Sequence, residues 1–512
     1  MQLRMWTYDL AREQAPTLDH LRRLCDVSLE SGYTALGLYM EHRFAYPSIP
    51  WAHGKAAVTP EMVRRLVEEF PQLEIVPFLN LLGHMEGLIY SEGGSELAEE
   101  PFKGMQACPS KPAVVELAHT IIRDTLQLFT SNLIHIGADE TFQLGACPLC
   151  KARIAEFEVA HPGADGKAML FGDHFGPLAQ MVLDAGRRPG IWGDMFIEHP
   201  SALDRIPKET VIFEWQYFNG PEETARRFLD AGYDTVFCPT LLTYSAPWLH
   251  LPESERNVLE HAEAAERLGA YGVCMTSWEC ELFGSYETLL PIVKAGGKIL
   301  QGGAGDSPFL RAFLHESETF EDWAMLMGVE LQKCGPLFAF SSIRSSLKCR
   351  FLLYSNPFLL WLHHRDALCG EEGDQALEIL DRAISVAPNA GARGVSEFVR
   401  IAIEFVRHVE EARKAYAALH PGEAVAALSP ARAGFDDLTK IAKANYLRIG
   451  GSLADIERCR VAKEHVERVM LRIKSYGDGS LGYLPSFETI THPKFMPHDQ
   501  GNWWLINDWA NE

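Results

Sequence analysis

Eight short β-rich apolar runs separated by stretches with helical spacing fill the chain from residue 3 to about residue 300. They lie at 3–10, 34–40, 73–79, 132–138, 188–195, 210–217, 235–241 and 271–278. Strand and helix alternating in this way is the pattern of a parallel sheet joined by crossover helices. Eight such units in one stretch fit a closed (β/α)8 TIM barrel better than a doubly wound open sheet. Helix punctuation agrees: Thr59-Pro60-Glu61 supplies an N-cap, a first-turn proline and an acid in order, and 253–268 has helical spacing. Past the glycine-rich 302–305 the strand signal stops, and amphipathic stretches follow at 320–333, 374–386, 395–419 and 452–474. The α/β barrel is therefore expected over 1–305 and an α-helical C-terminal domain over 306–512, a division in keeping with a 512-residue chain too long for one core. The last segment, 482–512, carries Trp503, Trp504 and Trp509 and is expected to pack against the body.

Charge narrows the function classes. Forty-seven basic against sixty-nine acidic side chains leave a net charge of −22, which disfavours a sequence-independent grip on nucleic acid or on an anionic membrane. No apolar run reaches the roughly 18 residues of a membrane helix. The N-terminus reads straight into a strand without a basic and then apolar leader, so export is not expected. The eleven cysteines are odd in number, and Cys25, Cys238, Cys274 and Cys459 sit singly in apolar patterns. That usage suggests a reducing, cytoplasmic setting.

Barrel enzymes work at the C-terminal rim, so the residues at the strand ends carry the functional reading. In strand order these are Asp9 and Arg12, Glu41, His84, Asp139 with Glu140, Trp192 and Asp194, Trp215 and Tyr217, Tyr244, and Trp278 with Glu279. Carboxylates, one arginine and several tryptophans are what a sugar site needs: aromatic faces stack on the ring, and charged groups hold the hydroxyls. The bland alternatives are that Asp139 and Glu140 cap the following helix, that Arg12 forms a surface ion pair, and that the tryptophans and His84 are core residues.

His135-Ile136-Gly137-Ala138-Asp139-Glu140 resembles the H-x-G-x-D-E signature of family 20 glycoside hydrolases, the β-N-acetylhexosaminidases. Asp9-Leu10-Ala11-Arg12 resembles that family's first-strand D-x-x-R, and Gly83-His84 stands at the place of its third-strand histidine. The resemblance implies a retaining exo-β-N-acetylhexosaminidase that removes terminal β-linked N-acetylglucosamine or N-acetylgalactosamine. In that reading Glu140 is the acid and later the base, with a carboxyl kept protonated near neutral pH, and Asp139 orients the substrate's acetamido group as it attacks to form an oxazolinium. Arg12 would bind hydroxyls, Trp192, Trp215 and Trp278 would wall the acetamido pocket, Tyr244 would donate to the acetamido oxygen, and Glu279 would hold distal hydroxyls. Glu281 competes with Glu279, and Tyr217 and Trp248 compete with Tyr244. Glu41 and Asp194 complete the set of substrate-binding residues. The helical C-terminus and the second-strand loop resemble the bacterial branch of the family.

Two departures matter. The small α/β domain that many members carry ahead of the barrel has no counterpart before the first strand, so the helical region or the second copy in a homodimer is expected to cover that surface. The seventh strand end lacks an aspartate two residues after Tyr244, which leaves gluco, galacto and decorated sugars open. A catalytically silent amino-sugar-binding barrel and a glycosidase with two enzyme carboxylates remain the alternative functions. Cys147-Pro148-Leu149-Cys150 can be half of a zinc site or a redox pair, but no second C-x-x-C exists. Although Cys108 could approach it, two reduced thiols without metal are the favoured expectation. No cofactor is expected, because H-E-x-x-H, Walker-type and G-x-G-x-x-G motifs are missing.

Overall fold

The computed structural model describes residues 1–12, 15–54, 57–243, 246–278, 286–303, 306–340, 349–353, 356–451, 453–481 and 484–491. Eight parallel strands, Leu3–Asp9, Ala35–Tyr39, Glu74–Phe78, Leu133–His135, Arg188–Trp192, Val211–Trp215, Thr235–Cys238 and Gly272–Ser277, follow one another around a barrel. The first pairs with the last, Leu3 opposite Gly272 and Met5 opposite Cys274, and this closes the sheet. A two-residue strand, Thr240–Leu241, extends the seventh turn of the barrel against the eighth strand. Helices such as Leu18–Glu30, Pro60–Glu69, Pro112–Leu128, Gly166–Asp184, Glu222–Asp230 and Leu251–Leu268 return the chain along the outside. Thr59 caps Pro60–Glu69 by accepting from Met62 N–H, the cap its sequence predicts.

Alternation along each strand sorts side chains between two cores. Trp6, Tyr8, Leu36, Leu38, Ile134, Ile191, Ile212 and Val273 face the helices, while Met5, Val76, Phe78, Trp192, Phe213 and Cys274 fill the lumen. The lumen layer is crowded with rings: Phe78 stacks on His135 at 4.2 Å, and Trp192 and Phe213 close on the same imidazole. Gly37 and Gly190 make room for them, since a Cβ at Gly37 would stand 2.6 Å from the Phe78 ring and one at Gly190 3.0 Å from Phe213.

All the strands are trimmed relative to their apolar runs, and two of them sharply. The fourth stops at His135 because Gly137 and Ala138 take φ of +79° and +94°, outside the β region. The fifth stops at Trp192, and Asp194 opens a short helix, Asp194–Glu198, rather than continuing the strand. The turn at Gly193 allows this: a Cβ there would meet Glu214 Oε2 at 2.9 Å.

Beyond the barrel the described residues are helical, and the three longest helices, Ala390–Ala417, Pro421–Ile449 and Leu453–Gly477, pack in sequence. Pro421–Ile449 ends at Gly450, whose φ of +74° and close approach to Ala15 O both require a residue without Cβ. There Ala15 N–H donates to Gly450 O at 3.0 Å, and Arg448 pairs with Glu287 at 3.0 Å. The helical region thus braces the loops after the first and last strands. Trp248, a competitor for a sugar-binding role, lies 4.4 Å from Trp323 and donates to Thr288 Oγ1. It is buried as core against the helices Pro308–Glu316 and Glu318–Met325.

Candidate active site

The fourth strand delivers Asp139 and Glu140 through a turn that only close packing permits. Gly137 approaches Leu79 O so nearly that a Cβ would stand 2.4 Å away, and Gly83 in the third-strand loop lies as close to Asp139 O. Ala138 and Glu140 both have positive φ, as does His84 across from them. This local backbone aims three side chains at one point. His84 Nε2 lies 2.9 Å from Glu140 Oε2 and 3.4 Å from Asp139 Oδ2, and its Nδ1 is 3.9 Å from Glu86 Oε1. Burial alone would keep the His84 ring neutral, but Asp139, Glu140 and Glu86 around it lift its pKa well above the usual value. His84 is accordingly a buried cation among carboxylates. Burial, with Glu140 alongside, pushes Asp139 up to about 6 against the pull of His84.

Asp194 holds the other side of the pair. Its Oδ2 accepts from Glu140 N–H at 2.9 Å and its Oδ1 from the Trp215 indole N–H at 3.3 Å. Burial, then the neighbouring Asp139, raises its pKa well above the ordinary carboxyl range. His135, the first residue of the hexapeptide, lies in the lumen, where its Nδ1 accepts from Gly137 N–H and burial holds it neutral. It supports the turn from below.

An aromatic wall faces the acids. Trp278 donates to Tyr217 O–H at 2.9 Å, stands edge-on to Tyr39 at 4.9 Å and lies 6.2 Å from Trp192, while Trp215 and Tyr217 are 4.9 Å apart. The Arg12 guanidinium pairs with Asp9 at 3.5 Å and sits 5.4 Å from the Tyr39 ring and 5.6 Å from that of Trp278. These contacts gather Arg12, His84, Asp139, Glu140, Trp192, Asp194, Trp215, Tyr217 and Trp278 at one end of the barrel. Asp139 Oδ1 and Trp192 Nε1 are among the buried polar atoms there that have no hydrogen-bond partner among the described residues.

Glu41 is placed differently. Its Oε2 meets His42 Nδ1 at 3.0 Å and its Oε1 accepts from Gly87 N–H at 3.0 Å, so both oxygens face protein groups. Burial and Glu86 raise its pKa. Tyr244, Glu279 and Glu281 lie outside the described residues. Three neighbours had escaped the strand-end reading. Glu86 faces His84, Tyr39 forms the floor under Arg12, and Asn80 donates to Tyr39 O–H at 2.7 Å. Tyr39 and Asn80 do stand at strand ends, whereas Glu86 opens the four-residue helix Glu86–Ile89, too short for a periodic signal.

Residues 84–277 match the model of the glycosyl hydrolase family 20 catalytic domain. The matched segment runs from His84 to the end of the eighth strand and includes the Asp139-Glu140 pair; Arg12 and Glu41 lie ahead of it. Over 200 residues the chain is 24% identical to a β-hexosaminidase of Vibrio furnissii, which is 36% of this chain and 30% of that protein. It therefore spans under a third of that relative. The chitobiase of Flavobacterium johnsoniae shares the fold with a TM-score of 0.51 at 15% identity, over 91% of this chain and 78% of that one. An exo-β-N-acetylglucosaminidase of Vibrio harveyi, solved with N-acetylglucosamine, aligns with a TM-score of 0.48 at 16% identity over 67% of this chain and 59% of that one.

Proposed function

We propose that this protein is a retaining exo-β-N-acetylhexosaminidase that removes terminal β-linked N-acetylglucosamine or N-acetylgalactosamine from small glycans or glycoconjugates. One observation carries the reading: adjacent carboxylates with unequal environments share a cation. The Asp139 side chain is 12% exposed and keeps one oxygen unpartnered among the described residues, whereas the Glu140 side chain is 33% exposed. In substrate-assisted hydrolysis the sugar's acetamido oxygen replaces an enzyme nucleophile, so one proton-transfer group and one orienting carboxylate suffice.

Glu140 is the group with access to the glycosidic oxygen; it protonates the leaving group and afterwards takes a proton from water. Asp139, deeper, accepts from the acetamido N–H through its free oxygen and stabilises the positive charge of the forming oxazolinium. Trp192, Trp215 and Trp278 hold the acetamido methyl against apolar faces and keep water from the anomeric carbon. The attack is then intramolecular, with much of its entropic cost met on binding. Arg12 holds ring hydroxyls while stacked between Tyr39 and Trp278. His84 and Asp194 position the pair. The substrate is neutral, in keeping with the acidic chain, and the ten described cysteines, all free thiols, support a cytoplasmic place of work.

The test is release of 4-nitrophenol from the β-N-acetylglucosaminide and the β-N-acetylgalactosaminide. Glu140→Gln is expected to lower kcat by about 100- to 10,000-fold, the range for loss of a general acid–base group. N-acetylglucosamine thiazoline, which mimics the oxazolinium, should raise the melting temperature. If neither glycoside is cleaved and the thiazoline has no effect, the proposal is wrong.

A further inference from the structure

Next to the catalytic pair, the loop after the fourth strand meets the loop after the third in a knot of sulfur that hydrolysis does not use. Cys108 Sγ lies 3.5 Å from Cys147 Sγ and 3.6 Å from Cys150 Sγ, and Cys150 Sγ lies 3.3 Å from Glu99 Oε2. The four candidate ligand atoms all fall within 4.8 Å of one another, and all four residues are buried. We propose that Glu99, Cys108, Cys147 and Cys150 bind one structural zinc ion that clips these two rim loops together.

The geometry favours a metal over the other fates of close thiols. A disulfide requires sulfurs about 2.05 Å apart, and neither Cys108–Cys147 nor Cys108–Cys150 approaches that. Sulfurs held about 2.3 Å from a tetrahedral zinc stand about 3.8 Å from each other, close to the 3.5 and 3.6 Å seen. The donor set is chemically apt: Cys147 and Cys150 form a C-x2-C half-site, and Cys108 and Glu99 come from the other loop to supply the third and fourth ligands. Four protein ligands leave no open position, which marks a structural and not a hydrolytic site. Glu99 stands forty-eight residues before Cys147, without any motif to announce it in the sequence.

Binding releases three thiol protons to solvent and leaves the cluster of three thiolates, one carboxylate and a divalent cation with a net charge of −2. Its surroundings are suited to that charge. Cys147 caps the thirteen-residue helix Pro148–Ala160, whose N-terminal dipole points at the sulfurs. Cys150 N–H donates to Cys147 Sγ at 3.3 Å and Cys147 N–H to Glu99 Oε1 at 2.8 Å. Ser110 Oγ touches Cys150 Sγ at 3.0 Å and itself accepts from Arg153 at 3.2 Å. Such outer contacts orient ligands and spread their charge.

The clip has mechanical consequences at the rim. Ala107 N–H donates to Leu82 O and Met85 N–H to Met105 O, so the segment ending in Cys108 supports the loop that carries His84. Gln106 and Gln143 exchange backbone-to-side-chain hydrogen bonds, which joins the same segment to the chain just past Glu140. Zinc would fasten the far end of both connections.

Elemental analysis of the full chain, purified under reducing conditions without chelator, tests this directly. About one zinc per chain is expected, falling below about a tenth in Cys150→Ser and in Glu99→Gln. Cobalt(II) added to chelator-treated wild type should give thiolate-to-cobalt charge transfer and the intense visible bands of tetrahedral coordination. Zinc returned to that sample should raise its melting temperature. These readouts need only the wild type, so misfolding of a variant does not decide them, and they are independent of glycosidase activity. Metal-free protein with all three thiols reactive and no thermal response to zinc would overturn the proposal, as would a disulfide at Cys108 in an unreduced peptide map.

Discussion

Replacing His84 by Asn removes the cation from among three carboxylates while keeping a residue that tolerates the left-handed backbone at this position, where φ is +48°. The consequence for Asp139 follows from distance. At 3.4 Å from His84 Nε2 to Asp139 Oδ2, two unit charges interact by about 5 kcal/mol at an effective dielectric constant of about 20, which is a ceiling. An opposite charge at such range lowers a carboxyl pKa by about 1 to 3 units, or about 1.4 to 4 kcal/mol. Wild-type Asp139 stands at about 6 because His84 pulls it down against burial and Glu140. Without the imidazolium the carboxyl is protonated to higher pH. Because the proposed mechanism uses ionised Asp139, the acid limb of kcat/KM should move from near 6 towards alkaline pH by about 1 to 3 units. That limb belongs to the coupled cluster and not to one residue. The sign for stability is the reverse of an ordinary salt-bridged acid. A histidine with a raised folded pKa contributes fully below its unfolded value of about 6.5, and the contribution is lost as pH rises through the folded value. The melting-temperature gap between wild type and His84→Asn should therefore narrow from neutral to alkaline pH. Rate profiles on the aryl glycoside and thermal melts at matched pH check both. A folded, active variant whose acid limb stays in place would refute the electrostatic role given to His84.

Asp194→Ala removes the acceptor for Glu140 N–H and the Trp215 indole. Leaving such buried donors without an acceptor costs about 1 to 3 kcal/mol, so kcat should fall about 5- to 150-fold with a smaller change in KM, and Asn, with one acceptor left, should recover part of it. A merely structural role would lower stability and leave that split unmoved. Gly83→Ala would place a Cβ 2.1 Å from Asp139 O; overpacking of this kind costs about 1 to 3 kcal/mol, seen as a lower melting temperature together with lost turnover.

The barrel was legible because short apolar runs alternate with longer stretches of helical spacing. Runs such as 34–40 and 210–217, most of whose residues are buried, mark strands, and each became one, trimmed by a residue or two at its ends. The strand-end rule then found Arg12, His84, Asp139, Glu140, Trp192, Trp215 and Trp278, which meet because every parallel strand ends on the same rim. It failed where position depends on tertiary contact. The run at 188–195 reads as one strand, yet the chain turns at Gly193, and that turn is what puts Asp194 under Glu140 N–H. Trp248 has a sugar-binding residue's composition and address but is covered by Trp323 from a helix 75 residues on. Glu86 opens a helix of only four residues and Glu99 lies in an irregular loop, and in either place a buried carboxylate has no pattern and is recognised only by its partner.

The same rim explains an otherwise costly backbone. Of seven described non-glycine residues with positive φ, four are Glu41, His84, Ala138 and Glu140, all at the catalytic end. Each left-handed residue of this kind costs about 1 to 2 kcal/mol, so together they draw on a large share of the roughly 5 to 15 kcal/mol that holds a typical domain folded. What offsets them are contacts that the left-handed turns alone make available: His84 to Glu140, Glu140 N–H to Asp194, and Glu41 to Gly87 N–H. Strain and charge are therefore mutually dependent here. Neutralising the charges leaves the turns unsupported, and relaxing the turns leaves buried carboxylates without partners, which costs about 3 to 5 kcal/mol when one member of a buried pair is lost. A rim built this way has one favourable arrangement, with the Asp139 oxygen open and Glu140 partly exposed, and that is the preorganisation the proposed proton transfer to a bound sugar requires.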